Sequence, residues 1–197
     1  MQAVIVIGIP GAGKSTIIDR ITDADKYSFV NIGDMMISIG TKKGRLNNRD
    51  QMRYQSNEER TELIKEVFKE IATMKGNVII DTHASIGAHG RYMPGLPADV
   101  LSIIKDSVKA LVCIDAPTEN IIIRRERDTT RRREAETVEE IEMQKMINMA
   151  ALSAISQSYN IPLFVLINEE NRQDESVRKF KECIKSIFND SAEKAHK

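Results

Sequence analysis

The segment from residue 8 to residue 16 carries glycines and a lysine at a spacing suited to binding phosphate. It matches the pattern G-x-x-x-x-G-K-S/T, in which glycines let successive backbone N–H groups turn toward phosphate oxygens. In this pattern the lysine reaches the β- and γ-phosphates, and the hydroxyl that follows it ligates Mg²⁺. The sequence therefore predicts a nucleoside triphosphate site formed by Gly8, Ile9, Pro10, Gly11, Ala12, Gly13, Lys14, Ser15 and Thr16.

The motif is shared by GTPases, ATPase motors and kinases, and other segments separate these classes. A GTPase would need an Asn-Lys-x-Asp segment and an Asp-x-x-Gly switch, but residues 168–170 read Asn-Glu-Glu and residues 81–84 read Asp-Thr-His-Ala. Motors usually carry further domains, for which 197 residues leave little chain. The small P-loop kinases are the class that remains.

A cluster of six arginines and two acidic residues occupies positions 124–133. Phosphoryl transfer needs cationic donors around the moving group, and arginine binds phosphate oxygens with a planar fork. The first of these residues lie on a predicted helix and the last in a predicted polar loop at 128–135, which could close over bound phosphates. The candidate catalytic residues, together with Lys14, are Arg124, Arg127, Arg131 and Arg133.

Two other interpretations of the arginine cluster stay open. A basic helix end is favourable at the negative end of the helix dipole, and a local basic run is also typical of an RNA-binding patch. We expect Arg125 and Arg132 to be surface residues.

Acidic and acceptor-side candidates follow the predicted strands. Asp81 ends a strand at the edge where open α/β sheets place their ligands, so it either holds Mg²⁺ through water, accepts a proton, or caps a loop. His83 either contacts substrate or orders its loop. Asp34 either faces the acceptor or is the N-cap of a short helix. Arg49 and Arg53, four residues apart, either reach an acceptor phosphate or pair with nearby acids.

Short apolar runs alternate with amphipathic segments, which is typical of a parallel sheet with helical crossovers. Most of these runs are apolar throughout, as expected of strands buried on both faces. We therefore predict one α/β domain over residues 1–197. The predicted strands are Ala3–Ile7, Phe29–Ile32, Val78–Ile80, Leu111–Ile114 and Leu163–Ile167.

Helix starts and loops can also be placed. Ser56 with Glu59, and Thr137 with Glu140, have the spacing of capping boxes. After Thr137, a stripe of methionines and alanines that includes Met143 and Met146 is expected to pack in the core, with a subunit contact as the alternative. The segment Thr82–Pro97 is rich in glycine and proline and predicts one long functional loop.

Composition excludes several classes. Hydrophobic residues make up 41% of the chain and 29 basic residues balance 29 acidic ones, so a broad nucleic-acid footprint is not expected. No apolar run approaches the ~20 residues of a membrane span. Two cysteines give neither a disulfide framework nor a four-cysteine zinc cage, so we expect a cytoplasmic protein with Cys113 in its core.

In combination, these segments resemble the archaeal-type adenylate kinases from Gly8 to about residue 168. Beyond the phosphate loop, the resemblance is carried by Gly33-Asp34, an Arg-Asp-x-Met-Arg stretch at 49–53, Asp-Thr-His-Ala at 81–84, Pro-Gly-Leu-Pro at 94–97 and Arg-Asp-x-Thr-Arg at 127–131.

This resemblance implies a three-layer P-loop kinase fold with a five-stranded parallel sheet, a helical AMP-binding region at about 34–75 and a short lid at about 128–136. It implies reversible Mg²⁺-dependent transfer between ATP and AMP to give two ADP, in a cytoplasmic homotrimer. Residues 8–16 would bind ATP, the four arginines would surround the transferred group, and Ser15 and Asp81 would lie on the Mg²⁺ side. The AMP side would be formed by Asp34, Arg49, Arg53 and His83.

The sequence differs from bacterial adenylate kinases on the acceptor side. The helix after Gly33-Asp34 begins Met-Met-Ile-Ser without an arginine, and Asp81 is followed by Thr-His-Ala rather than Gly-Phe-Pro-Arg. Two alternatives remain, a P-loop kinase for CMP, UMP or a small hydroxylated metabolite, and an adenylate-kinase-like ATPase acting as a ribosome- or RNA-associated switch.

Overall fold

The computed structural model describes residues 1–21, 26–46, 55–88, 91–127 and 136–194. Its strands are β1 (Gln2–Ile7), β2 (Ser28–Asn31), β3 (Asn77–Thr82), β4 (Ser85–Ala88), β5 (Arg91–Pro94), β6 (Val108–Asp115) and β7 (Leu163–Ile167). Five of them form a parallel sheet in the order β2-β3-β1-β6-β7, and β4 and β5 form a separate antiparallel hairpin. The predicted five-stranded parallel sheet is confirmed.

The helices are α1 (Lys14–Asp19), α2 (Ile32–Lys42), α3 (Asn57–Ala72), α4 (Ala98–Leu101), α5 (Thr118–Arg127), α6 (Val138–Tyr159) and α7 (Gln173–Lys194). Both predicted capping boxes are present, at the starts of α3 and α6. In each box the hydroxyl of the cap residue accepts a hydrogen bond from the backbone N–H three residues later. The glutamate at that later position accepts a hydrogen bond from the backbone N–H of the cap residue. Within the described residues, no helix combines the length and apolar character that a bilayer crossing requires.

Helices cover both faces of the sheet because its central strands are apolar on both sides. In β1, Ile5 and Ile7 pack with residues of α2, α3 and α6, whereas Val4 and Val6 pack with α1 and α7. Cys113 is buried on the first of these faces, as predicted. The result is three layers, with the apolar core divided by the sheet.

The order of the strands places a crevice at the carboxyl end of β1. Ile7 lies beside Thr82 of β3 on one side and beside Cys113 of β6 on the other. The chain after β1 enters the phosphate loop at this point, where the crossovers diverge to opposite sides of the sheet. The register of β2 with β3 places Asn31 next to Asp81 at the same edge.

The prediction of one long loop at 82–97 was wrong in part. Residues 85–88 and 91–94 form the β4–β5 hairpin, with Ile86 opposite Met93 and Gly87 opposite Tyr92. The glycines and prolines of this segment obscure the alternation that indicates strands. Its strands are stabilised by pairing with each other and by contact with α6 rather than by a two-sided core.

The prediction that the methionine stripe of α6 packs in the core was wrong for Met143 and Met146. Their side chains are 47% and 64% exposed, and the buried residues of the helix are Ile141, Asn148 and Leu152. Apolar residues occur around much of this helix, so the sequence did not determine which face would be covered. The buried face is set by where α6 lies on the sheet.

Candidate active site

A cavity of about 610 Å³ opens at the carboxyl ends of the central strands. The phosphate loop, from Ile9 to Thr16, forms one wall. A second wall comes from α2 and α3 and includes Ile32, Met36, Arg60 and Ile64. Pockets of this size are typical of small-molecule sites, and this one joins a polar wall to an apolar wall.

Glycines allow the phosphate loop to approach its neighbours closely. Gly13 has a φ of 89°, in the left-handed region, and a Cβ there would lie 2.2 Å from Nδ2 of Asn168. A Cβ on Gly8 would lie 2.3 Å from the carbonyl oxygen of Ile114. Any other residue at these two positions would therefore push the loop away from β6 and from the chain after β7.

Lys14 is buried in the phosphate loop, with only 8% of its side chain exposed. Its Nζ donates to the carbonyl oxygen of Gly8 at 3.1 Å and lies 3.5 Å from Oδ1 of Asp81. The ammonium is thus held at the mouth of the loop by one carbonyl and one carboxylate. This position fits the predicted role of a cation for nucleotide phosphates.

One carboxylate oxygen of Asp81 accepts a hydrogen bond, and the other is placed to bind a cation. Its Oδ2 accepts a hydrogen bond from Nδ2 of Asn31 at 2.9 Å, whereas Oδ1 is buried and has no hydrogen-bond partner among the described residues. Ser15 supplies an exposed hydroxyl to the same cavity. A hydroxyl and a carboxylate are hard oxygen donors, and Mg²⁺ binds through one or two such groups with waters and substrate phosphates. The residues present therefore fit Mg²⁺.

Arg124 and Arg127 share a face of α5, as their spacing predicted, and both pair with Glu170. The guanidinium of Arg124 also donates to the carbonyl oxygens of Gly11, Ala12 and Asn168, at 3.5, 3.3 and 3.1 Å. Arg127 is 71% exposed and lines the cavity. Arg124 is therefore fixed against the phosphate loop, whereas Arg127 has room to move toward a ligand.

Four of the predicted site arginines lie outside the described residues, and so does Arg132, which we expected at the surface. Arg131 and Arg133 belong to the predicted lid, and Arg49 and Arg53 belong to the predicted acceptor region. Their roles stay predictions.

Arg125 is not a surface residue, which corrects our expectation. Only 8% of its side chain is exposed, and its Nε and Nη2 donate to the carbonyl oxygen of Pro10 at 3.0 and 2.8 Å. The guanidinium also pairs with Glu136 and donates to Gln144, so it joins the phosphate loop to the start of α6. The signal in the sequence is its position four residues after the buried Ile121, on the same helical face.

Asn168 and Glu170, which follow β7, also hold this region. Nδ2 of Asn168 donates to the carbonyl oxygen of Ala12 at 2.9 Å, and the residue is 2% exposed. In the sequence, this segment indicates only that the Asn-Lys-x-Asp pattern of a GTPase is missing. Its structural role was missed because its partners lie far away along the chain.

On the acceptor side, Asn31 rather than Asp34 is the N-cap of α2. Oδ1 of Asn31 accepts from the N–H of Asp34 at 3.1 Å. Asp34 lies in the exposed first turn of the helix, and the cavity wall here is formed by Asn31, Ile32, Gly33 and Met36.

His83 lines the cavity and contacts the phosphate loop. Its Nδ1 lies 2.9 Å from the carbonyl oxygen of Gly8, and since a carbonyl only accepts, Nδ1 is the donor of this hydrogen bond. Gly8 therefore receives hydrogen bonds from both His83 and Lys14. This contact places His83 against the donor loop within the shared cavity.

Arg60 of α3 lines the cavity and was not singled out from the sequence. Burial lowers the pKa of its guanidinium. It lies four residues before Ile64, at the edge of the apolar face that predicted this helix. That spacing was the available signal.

Fold comparison agrees with this architecture. The shikimate kinase of Bacteroides thetaiotaomicron matches with a TM-score of 0.58 and 15% identity, covering 93% of this chain and 98% of that one. A gluconokinase of Sinorhizobium meliloti matches with a TM-score of 0.52 and 13% identity, covering 96% and 97%. A family profile described as an AAA domain matches residues 7–142. The fold and the phosphate loop together define a P-loop kinase.

Proteins with similar sequences show which family of P-loop kinases the chain belongs to. The adenylate kinase of Methanothermobacter thermautotrophicus is 32% identical over 186 residues, which cover 93% of this chain and 100% of that protein. The adenylate kinase of Thermoplasma acidophilum is 37% identical over 172 residues, covering 87% and 92%. The chain belongs to the archaeal adenylate kinase family.

Proposed function

We propose that this chain transfers the γ-phosphoryl group of ATP reversibly to AMP, forming two molecules of ADP and so balancing the adenine nucleotides of the cell. The observation that carries the proposal is a single cavity that joins the Lys14–Asp81 pair to the apolar wall of α2 and α3. Membership of the adenylate kinase family supports AMP as the acceptor.

The donor nucleotide is bound by the phosphate loop. Backbone N–H groups of residues 11–16 would contact its phosphates, and Lys14 would exchange its contacts with Gly8 and Asp81 for β- and γ-phosphate oxygens. Arg124, His83 and Asn168 hold the loop in place through its carbonyl groups. These contacts restrict the backbone of the loop, which reduces the entropy lost when nucleotide binds.

Ser15 would hold Mg²⁺ directly, and Oδ1 of Asp81 would hold it through a water. When bound, Mg²⁺ would supply positive charge that neutralises the nucleotide phosphates. Asn31 keeps the carboxylate of Asp81 oriented by occupying its other oxygen.

In the transfer, an oxygen of the AMP phosphate forms a bond to the γ-phosphorus while the bond from that phosphorus to the bridging oxygen breaks. Both products are ADP. Since a phosphate monoester has its second pKa at about 6, AMP is largely a dianion at neutral pH and no proton has to be removed. We therefore assign Asp81 to cation binding rather than to proton abstraction, which a hydroxyl acceptor would require.

The charge on the moving group would be neutralised by arginines. Arg127 is the exposed member of the α5 pair and would turn from Glu170 to the phosphoryl oxygens. Arg131 and Arg133 would add to it from the lid. Arg124, whose guanidinium contacts loop carbonyls, would contribute its charge from a fixed position.

The proposed function is tested by measuring ADP formation from ATP and Mg²⁺ with AMP, CMP, UMP or no acceptor. We expect ADP to form rapidly with AMP, and an inhibitor in which five phosphates join two adenosines to block it. Lys14→Met should reduce turnover by about 10²- to 10³-fold, since it removes a donor to the transferred group. Lys69→Met, at an exposed site in the last turn of α3, is the matched control and should leave activity unchanged.

Other outcomes separate the alternatives. Similar rates with every acceptor would keep the kinase class and reject AMP specificity. Slow hydrolysis that ignores all acceptors would favour the RNA-associated ATPase. Against that ATPase, Arg124 and Arg125 bind loop carbonyls rather than forming an open basic surface.

We also propose self-association as a homotrimer in the cytoplasm. Met146 of α6 is 64% exposed, and Val165 and Ile167 of the edge strand β7 are 46% and 48% exposed. In the parallel pairing of β6 with β7, Val165 lies opposite Cys113, and Cys113 and Met146 line the same small cavity. The side chains of Val165, Ile167 and Met146 therefore lie on one face of the sheet. A second copy would cover this apolar face and the open edge of β7. The two free cysteines support a reducing compartment.

A further inference from the structure

Arg60 is the arginine that α3 places in the wall of the active-site cavity. It occupies the second turn of α3, is half-buried, and lines the active-site cavity beside Ile64 of the following turn. Within the described part of the chain, its guanidinium has no ion pair and no hydrogen bond to another side chain. A guanidinium that is partly removed from water and lacks an anion is unfavourable until one arrives.

The acidic residues of α3 do not neutralise Arg60. Glu59 accepts from the backbone N–H of Ser56 in the capping box, and Glu62 pairs with Lys65. Glu66 pairs with Lys43. Each of these carboxylates is therefore committed to another group.

The other described cations of the cavity are already paired. Lys14 faces Asp81, and Arg124 and Arg127 face Glu170. All three belong to the phosphate loop or to α5, on the donor side. Arg60 comes from the wall formed by α2 and α3, where Ile32, Met36 and Ile64 supply an apolar surface.

We propose that Arg60 binds the phosphate of the acceptor nucleotide, so that α3, rather than α2 or the chain after β3, supplies a phosphate-binding arginine. The planar fork of an arginine matches two phosphate oxygens, and the pair is strongest where water is partly excluded. The apolar wall beside it would contact the base or ribose. This inference rests on the proposed function, since it assumes a monophosphate acceptor.

The test compares Arg60→Met with Arg178→Met, the same substitution at an exposed site on α7. For Arg60→Met we expect the KM for AMP to rise about 10- to 100-fold, as for loss of a charge-assisted hydrogen bond in a partly buried site. The KM for ATP should stay within about twofold. Arg60→Lys keeps the charge without the fork, so its KM for AMP should be intermediate. Arg178→Met should match the wild type.

A second readout separates phosphate binding from a structural role. Adenosine lacks the phosphate, so its inhibition constant against AMP should be the same for the wild type and Arg60→Met. If AMP and adenosine lose affinity equally, Arg60 only shapes the wall and the proposal is overturned. Because Arg60→Met and Arg60→Lys are both measured, a variant that fails to fold does not decide the result.

The two proposals fail in different ways. An unchanged KM for AMP in Arg60→Met, with a wild type that forms ADP from AMP, rejects the role of Arg60 and leaves the proposed function intact. A wild type without AMP-dependent activity rejects the proposed function, and the role of Arg60 with it.

Discussion

Asn31 connects the acceptor side of the cavity to the donor side by using both ends of its amide. Its Nδ2 donates to Oδ2 of Asp81 at 2.9 Å, and its Oδ1 accepts from the N–H of Asp34 at 3.1 Å. The first bond orients the carboxylate that faces Lys14, and the second begins α2. One side chain therefore both caps a helix and positions a candidate Mg²⁺ ligand.

These two roles of Asn31 can be separated by substitution. Asn31→Ala loses both bonds, and we expect the free energy of unfolding to fall by about 1 kcal/mol and kcat/KM to fall about tenfold. Asn31→Ser keeps an N-cap oxygen but is too short to bridge to Asp81, so it should recover the stability and not the activity. Urea unfolding and steady-state rates give the two quantities. Equal recovery of both by Asn31→Ser would contradict the positioning role.

Substitution of Arg125 should mainly lower stability, whereas substitution of Arg127 should mainly lower turnover, although the two residues are only two positions apart. Arg125→Gln removes buried bonds to Pro10, so we expect about 1.5–3 kcal/mol of lost stability and weaker ATP binding. Arg127→Gln affects an exposed pair with Glu170, so stability should change by less than about 0.5 kcal/mol. Its turnover should fall far more than its affinity for ATP. Near-normal turnover in Arg127→Gln would reject its proposed role.

Cys113 should make stability depend on alkaline pH. Burial raises the pKa of its thiol to about 12, with a smaller contribution from Asp115. The folded thiol therefore keeps its proton at pH values where the unfolded thiol has lost it, so unfolding releases a proton. The free energy of unfolding should decline between about pH 9 and pH 12, by at most about 1.4 kcal/mol per pH unit from this group.

Urea unfolding at several pH values, for the wild type and Cys113→Ala, measures this slope. Other groups titrate in the same range, so the informative quantity is the difference between the two proteins. The alanine variant should show a shallower decline. Identical slopes would mean that the thiol is not protected from ionisation in the folded state.

Self-association should depend on the exposed apolar face of α6 and β7. Light scattering of the wild type should give about three times the 22.2 kDa mass of one chain. Met146→Glu and Val165→Glu each place a charge on this face and should shift the mass toward one chain. Lys69→Glu on α3 changes an exposed side chain elsewhere and should not. A wild type with the mass of one chain would rule out the trimer.

Features that depend on adjacent residues were predictable. The phosphate loop is one continuous segment whose glycines set its own backbone, so its position and lysine followed from the pattern. The central strands β1, β3 and β6 were recognised because strands buried on both faces are apolar throughout. The edge strand β7 is equally apolar in sequence, but Val165 and Ile167 are about half exposed, so the expectation that it is buried on both faces was wrong. The capping boxes at Ser56 and Thr137 involve residues three apart, and both formed.

Features that join distant segments were not predictable in this way. Arg125 and Pro10 are 115 residues apart, and Asn168 and Ala12 are 156 apart. The hairpin at 85–94 and the exposed face of α6 depend on what packs beside them. Each of these was missed or misplaced because its environment comes from other elements.

The sequence by itself therefore determined that this chain binds nucleotide phosphates on a parallel α/β sheet, since local backbone geometry and the pattern of apolar residues suffice for that. Only the tertiary structure decided which polar side chains share the cavity. It showed that Arg124 and Arg125 hold the phosphate loop through its carbonyl groups, and that Arg127 and Arg60 lie with Arg124 in the wall of the cavity. The physical reason is that the environment of a charged side chain depends on the groups folded around it.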